Sequence, residues 1–231
     1  MQFRRFGIYY TPQSGAFATF GAQWLGWDIE NGVRVAHPEI SGLPRPVEEM
    51  TATPRKYGLH GTIKPPFQLA EGTTQEGLES AMASLATRLA PVTLDGLSLS
   101  RIGSFVALTI AGDQSPLADL AGEVVQDLDA FRAPPSDTEL ARRRKSNLTA
   151  RQEALLAAWG YPYVLDEFRF HITLTGRLAR GEAEAVQTAL APHLAPLLPV
   201  PFEVPDLTLV GEDEDGMFHE IQCFALSGES A

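Results

Sequence analysis

The sequence predicts an α+β fold of two pseudo-symmetric lobes, each an antiparallel sheet with packed helices, around a central groove. Three observations predict it. Residues 59–64 and 168–175 alternate apolar and polar side chains, the period of a half-buried strand. Each of these strands is followed by a capped or amphipathic helix pattern and then by two strands joined at a turn. The same order occurs twice along the chain, which marks an internal duplication of one unit.

Taken in order, Gly7-Ile8-Tyr9-Tyr10 reads as a short buried strand ended by Thr11-Pro12. The stretch to Pro54 mixes Phe17, Phe20, Trp24, Leu25 and Trp27 with glycines and prolines, and its aromatics are expected in the core. Thr53-Pro54-Arg55-Lys56-Tyr57-Gly58 is a turn leading into the first of the two strands, which Pro65-Pro66 closes. Thr73 with Glu76 forms a capping-box pattern ahead of Leu78, Met82, Leu85 and Leu89 at helical spacing. Strands are expected over 92–99 and 104–110, joined at Arg101-Ile102-Gly103. Ser115-Pro116 then opens a strongly amphipathic helix that runs towards Phe131.

Ala133-Pro134-Pro135 is the predicted divide, giving lobes of residues 1–133 and 134–231 within a single domain. Ser136 with Glu139 and Thr149 with Gln152 predict two short helices, over 137–145 and 150–159. After the second strand a helix is expected over 181–194, then strands over 202–210 and 217–226 around the acidic turn at Glu212-Asp213-Glu214-Asp215-Gly216.

Composition narrows the class of function. With 231 residues, 44% hydrophobic and 20% charged, the chain is predicted to be globular and soluble. A net charge of −11 disfavours an extended nucleic-acid partner, because a phosphate backbone is met by a basic surface. Cys223 is the only cysteine, so no internal disulfide and no multi-cysteine metal site can form. No apolar run approaches the roughly 18–20 residues that cross a bilayer, and Met1-Gln2-Phe3-Arg4-Arg5-Phe6-Gly7 reads as neither signal peptide nor anchor. A cytoplasmic monomer without a membrane partner is the expectation.

The chemistry lies on the polar faces of the two strands. Leu59, Gly61 and Ile63 point one way and His60, Thr62 and Lys64 the other; Phe168, Phe170, Ile172 and Leu174 oppose Arg169, His171, Thr173 and Thr175. A single His-x-Thr is a weak signal. Two of five histidines at the same place in the same pattern are a stronger one. An imidazole with an ordinary pKa of about 6.5 serves as base or acid near neutrality, so His60 and His171 form a candidate acid/base pair. The hydroxyls of Thr62 and Thr173 suit a phosphate whose charge is redistributed during reaction. Strand phase and loop position add Lys64, Arg55, Tyr57 and Arg169 as further phosphate-binding candidates.

Rival chemistries lack their motifs. The sequence has no His-Glu-x-x-His, no Gly-x-Ser-x-Gly and no glycine-rich loop before Lys-Ser/Thr, so neither a metal nor a cofactor is expected. His37, His193 and His219 read as structural, His219 being on a strand able to line the groove. Arg142-Arg143-Arg144-Lys145 reads as a solvated helix face.

Leu59-His60-Gly61-Thr62-Ile63 and Phe170-His171-Ile172-Thr173-Leu174 resemble the paired signatures of the 2H phosphoesterase superfamily, which has a LigT-like cyclic phosphodiesterase fold. The flanking words, Pro54 to His60 with Lys64-Pro65-Pro66-Phe67, and Trp159 to Tyr163 ahead of Phe168 to His171, resemble a branch associated with phosphonate metabolism. The resemblance spans nearly the whole chain. It implies metal-independent hydrolysis of a cyclic phosphodiester in a small phosphorylated sugar or nucleotide, with His60 and His171 as acid and base in an order left open, and Thr62 and Thr173 on the phosphate. Gly61 stands where this branch commonly has Ala, a change expected to be harmless. Two alternatives stay open: processing or ligation of RNA ends bearing a 2′,3′-cyclic phosphate, and non-catalytic binding of a phosphorylated metabolite.

Overall fold

The structure is a computed structural model and describes residues 2–229. The first part of the chain forms β1 (Arg5–Tyr10), α1 (Ala16–Leu25), β2 (Trp27–Asp28), β3 (Val33–Arg34), α2 (Val47–Thr51), β4 (Gly61–Phe67), α3 (Gln75–Ala86), β5 (Val92–Leu94) and β6 (Gly96–Ile102). It continues with β7 (Phe105–Ala111), α4 (Ser115–Asp127), α5 (Asp137–Arg144), α6 (Ala150–Trp159), β8 (His171–Thr173), α7 (Glu182–Leu194), β9 (Phe202–Val204), β10 (Asp206–Glu212) and β11 (Phe218–Ala225). The α+β class is as expected. Seven strands form one antiparallel sheet in the order β11-β10-β1-β4-β8-β7-β6, while β2-β3 and β5-β9 make small two-stranded sheets.

The duplication is present, but it divides elsewhere than at Ala133-Pro134-Pro135. About the central β4/β8 pair, β1 answers to β7, β10 to β6, and β5 pairs with β9. The first repeat is therefore β1-α1-β4-α3-β5-β6 and the second β7-α4-β8-α7-β9-β10, with the divide at the turn between Ile102 and Phe105. Each repeat gives its last strand to the other half: β6 lies beside β7, and β10 beside β1. The lobes are thus halves of one sheet rather than residues 1–133 and 134–231, because non-local strand pairing overrides the local Pro-rich break.

One main core fills the helix-covered face of the sheet. Leu59, Ile63, Phe168, Phe170, Ile172 and Leu174 enter it, as alternation requires, together with Trp24 of α1, Met82 of α3, Val124 of α4 and Val186 of α7. α1 and α6 are stopped locally: Gly26 and Gly160 close them in the left-handed conformation that glycine adopts without strain. Thr149 and Gln152 cap the start of α6 reciprocally, and Ser136 accepts from the Glu139 amide at the start of α5. The N-cap of α3 is Thr74 rather than Thr73, whose hydroxyl instead donates to the Ala70 carbonyl (2.7 Å) in the preceding turn.

Two register shifts in the β1/β4 ladder decide which side chains reach the groove. Tyr9 pairs with Thr62 but Ile8 pairs with Lys64, leaving Ile63 as an extra residue, and a second shift follows before Phe6 meets Phe67. The bulges let β4 continue through Pro65-Pro66, which the sequence placed at its end; proline is tolerated where the ladder is already interrupted.

Where β4 meets β8, Gly61 faces Ile172. A Cβ on Gly61 would lie 2.2 Å from Cε2 and 2.3 Å from Cζ of Phe170. That ring is buried against Tyr10 and Phe202 and cannot swing away freely. Gly61→Ala is therefore expected to be costly, by about 1–3 kcal/mol of overpacking. The measurement is Tm by calorimetry, where a drop of several degrees that Phe170→Leu restores is the expected result; a Gly61→Ala protein as stable as wild type would contradict it.

Candidate active site

In an antiparallel pair centred on Gly61 and Ile172, one step either way sets His60 opposite Thr173 and Thr62 opposite His171. Each imidazole thus lies across from the other motif's hydroxyl, and the two imidazoles are diagonal neighbours. Both rings are held in the same manner. His60 Nδ1 donates to the Gly58 carbonyl (3.0 Å) and His171 Nδ1 to the Arg169 carbonyl (2.9 Å). A carbonyl can only accept, so each Nδ1 carries a proton and each Nε2 is left for other partners.

The surroundings of His60 are aromatic. Tyr9 lies against it at 4.2 Å between ring centroids and Tyr57 at 5.5 Å. Burial lowers the His60 pKa from 6.5 to about 4, against the Gly58 hydrogen bond that raises it and with a smaller lowering by His171. His60 is therefore neutral at physiological pH.

A cavity of about 460 Å³ opens beside these residues. His60, Thr62, Thr173, Tyr57 and Phe105 line it. Its lining also includes Arg5, Tyr9, Arg142, Arg143 and Tyr161. His171 is not among the lining side chains; its ring packs near Phe105, 6.0 Å away.

Of the four further candidates, only Tyr57 reaches the cavity. Lys64 is 2% exposed, on the helix side of the sheet, where its Nζ donates to the Val125 carbonyl (2.8 Å) and lies 3.7 Å from Asp129. The bulge at Ile63 reverses the phase that put it beside Thr62, and burial lowers its pKa to about 8. Arg55 is committed to the carbonyls of Leu25 and Glu48 and to the Thr51 hydroxyl, so it latches the β4 entry loop to α1 and α2. Arg169 folds back on the carbonyls of Asp166 and Phe168. His219 is bound to Asp213 (2.7 Å) and packs against Trp27, away from the cavity.

Several cavity residues went unread in the sequence. Arg5 and Tyr9 come from β1, where the alternation Arg5, Gly7, Tyr9 against Phe6, Ile8, Tyr10 carried the signal. Arg142 and Arg143 belong to the basic run assigned to solvent. Among the described residues, no group of three or more His, Cys, Asp or Glu side chains is placed to hold a metal ion, and no helix is long and apolar enough to cross a membrane.

Fold and site together define a protein with a two-histidine cleft at the centre of an antiparallel sheet. By its sequence, the chain belongs to the family described as "Protein of unknown function (DUF1045)", whose pattern matches residues 62–219. It is similar to two proteins named ribose 1,5-bisphosphate phosphokinase PhnN. That of Janthinobacterium sp. (strain Marseille) is 35% identical over 232 residues, covering 97% of this chain and 51% of the relative. That of Laribacter hongkongensis is 33% identical over 213 residues, covering 92% and 49%. The chain thus spans about half the length of the curated relatives it matches. Among solved structures, it is similar to TT0787 of Thermus thermophilus (TM-score 0.44, 17% identity, 98% of this chain and 100% of that one). It is also similar to E. coli LigT complexed with 3′-AMP (TM-score 0.44, 17% identity, 98% and 99%).

The neutral His60 has a consequence for stability. Unfolded, it binds a proton below about pH 6.5; folded, it does so only below about 4. The unfolded state therefore holds more protons between these values, and stability falls as pH drops from about 6.5 to about 4. His60→Asn is expected to lessen that fall, so the difference in Tm between variant and wild type should move in the variant's favour across this window. Parallel Tm profiles for the two proteins would contradict the assignment.

Proposed function

We propose that this protein is a phosphoesterase that hydrolyses a cyclic phosphodiester of a small phosphorylated sugar or nucleotide without a metal ion. The observation that carries the reading is the pairing of the two His-x-Thr strands at Gly61 and Ile172, with both Nδ1 atoms tied to carbonyls two residues earlier. With both Nδ1 atoms engaged, each Nε2 is left for a substrate, and each imidazole has the other motif's hydroxyl across the strand pair. In the proposed step, His60 Nε2 takes a proton from water as the water oxygen bonds to phosphorus. One ring P–O bond breaks, and His171 gives its proton to the departing oxygen, leaving a phosphomonoester and a free hydroxyl. The low pKa of His60 suits it to the base role and leaves the acid role to His171. The hydroxyls of Thr62 and Thr173 bind the non-bridging oxygens as charge builds on them.

Support for a small substrate comes from the cavity's size, about 460 Å³, and from the state of the basic run. Arg143 is paired with Glu139 (2.5 Å) and Arg144 with Glu153 (3.1 Å), so two of the four charges of this run are engaged by carboxylates of the chain itself. The relatives, of whose length this chain spans about half, carry the name of a ribose 1,5-bisphosphate phosphokinase, which favours a ribose phosphate and agrees with the resemblance to a phosphonate-metabolism branch. The chain's own sequence lacks the glycine-rich Lys-Ser/Thr loop of many kinases.

His60→Ala and His171→Ala are each expected to lower turnover of a ribose 1,2-cyclic phosphate or nucleoside 2′,3′-cyclic phosphate by about two to four orders of magnitude. Both variants should remain folded by circular dichroism. Wild-type turnover should follow a bell-shaped pH profile, its acid limb reporting protonation of His60, and should be unchanged by EDTA. Full activity in either variant would sink the acid/base assignment, and loss on chelation restored by a divalent ion would overturn the metal-independent step.

A further inference from the structure

Part of the cavity's lining is built differently from the two His-x-Thr strands. Among the described residues three buried side-chain polar atoms lack a hydrogen-bond partner: Tyr9 Oη, Arg143 Nε and Asp206 Oδ1. Two of the three belong to residues lining this one cavity. Buried donors without partners are rare in folded proteins, and a pair of them on one cavity wall marks where a ligand's acceptors belong.

Tyr9 shows the direction. Its ring lies on His60 and extends along β1 over Gly7, where an added Cβ would stand 3.1 Å from Cε1 and 3.4 Å from Cζ. The hydroxyl is thereby carried away from the imidazole towards Arg5, the next residue of that face, and burial holds its pKa well above the ordinary value. Arg143 approaches from the other side. Its guanidinium stacks on Tyr161 at 4.6 Å and gives Nη2 to Glu139, so its plane is fixed with Nε unengaged. Arg5 is held bidentately by Glu212, while Arg142 is 65% exposed, only 3.7 Å from Glu139 and free to swing in. Three guanidinium groups face two carboxylates here, leaving positive charge for a dianion. A planar guanidinium with its Nε edge open fits phosphate oxygens.

We propose that Tyr9, Arg5, Arg142 and Arg143 form a second anion subsite, which takes a phosphomonoester carried by the same molecule whose cyclic diester lies at His60 and His171. The inference rests on the phosphoesterase reading for its catalytic half and on the unpartnered donors for its own. The substrate class it names is a pentose cyclic phosphate bearing a terminal phosphate, Tyr9 touching one end of the molecule by its hydroxyl and the catalytic imidazole by its ring.

Two measurements on the full chain test it separately. In the first, calorimetry compares ribose 5-phosphate with ribose. Wild type is expected to bind the phosphate at least tenfold more tightly, and Tyr9→Phe and Arg143→Gln to lose most of that difference. Tyr9→Phe should also raise Tm without ligand, since it removes a buried unpartnered hydroxyl while keeping the ring, so lost binding would not reflect misfolding. Equal binding of ribose and ribose 5-phosphate, or undiminished preference in both variants, overturns the subsite. In the second, kcat/KM is compared for ribose 1,2-cyclic phosphate with and without a 5-phosphate. The expected result is a preference for the phosphorylated ring that each variant reduces at least tenfold. Turnover of both rings without preference overturns the subsite and leaves the phosphoesterase standing. No turnover of either ring, with ribose 5-phosphate binding lost in the variants, supports the subsite and sinks the phosphoesterase reading.

Discussion

The contact on which the rest depends is a single rung of backbone pairing, Gly61 against Ile172. Antiparallel geometry makes that rung a local two-fold axis, so two identical short motifs arrive facing one another with hydroxyl opposite imidazole. Everything beneath the rung is crowded. Phe170 fills the space that a side chain on Gly61 would take, and Tyr10 and Phe202 hold Phe170 in place. The spacing of the two histidines is in this way fixed by core packing rather than by contacts within the cleft.

How much of this could be read from the sequence depended on whether the deciding interaction was local. Helix starts at Ser136 and Thr149 rest on hydrogen bonds spanning three residues, and these were legible to the residue. The paired His-x-Thr strands were legible because alternation is also local. Lys64 was misread, since a bulge created by the pairing of Ile8 with Lys64 depends on a strand far back in the chain. Arg55 was misread for a related reason: an arginine on a loop looks free until the carbonyls of Leu25 and Glu48 are known to lie beside it. The divide between repeats failed as well, because Pro134-Pro135 breaks the chain without separating the sheet.

The cleft is also asymmetric in a manner that its twin motifs hide. His60 is enclosed by Tyr9 and Tyr57, whereas His171 stands at the rim beside Phe105. Duplication supplied two equal strands, and the different neighbours contributed by β1 and the β4 entry loop made their imidazoles unequal. Equal residues in unequal surroundings are what a reaction with one proton acceptor and one proton donor requires.

The exchange of β6 and β10 between repeats bears on how the chain reaches this structure. Neither repeat owns a complete half of the sheet, since β6 lies beside β7 of the other repeat and β10 beside β1, with β11 outside β10. A nascent chain that has emerged only as far as Ile102 has no β7 to receive β6 and no β10 to cover β1, so it exposes two unpaired strand edges. The sheet is complete only after β10 and β11, far later in the sequence, have been made. Folding of this protein is thus expected to be late, non-local and slow relative to a helical protein of its length, with the partly synthesised chain its most aggregation-prone form.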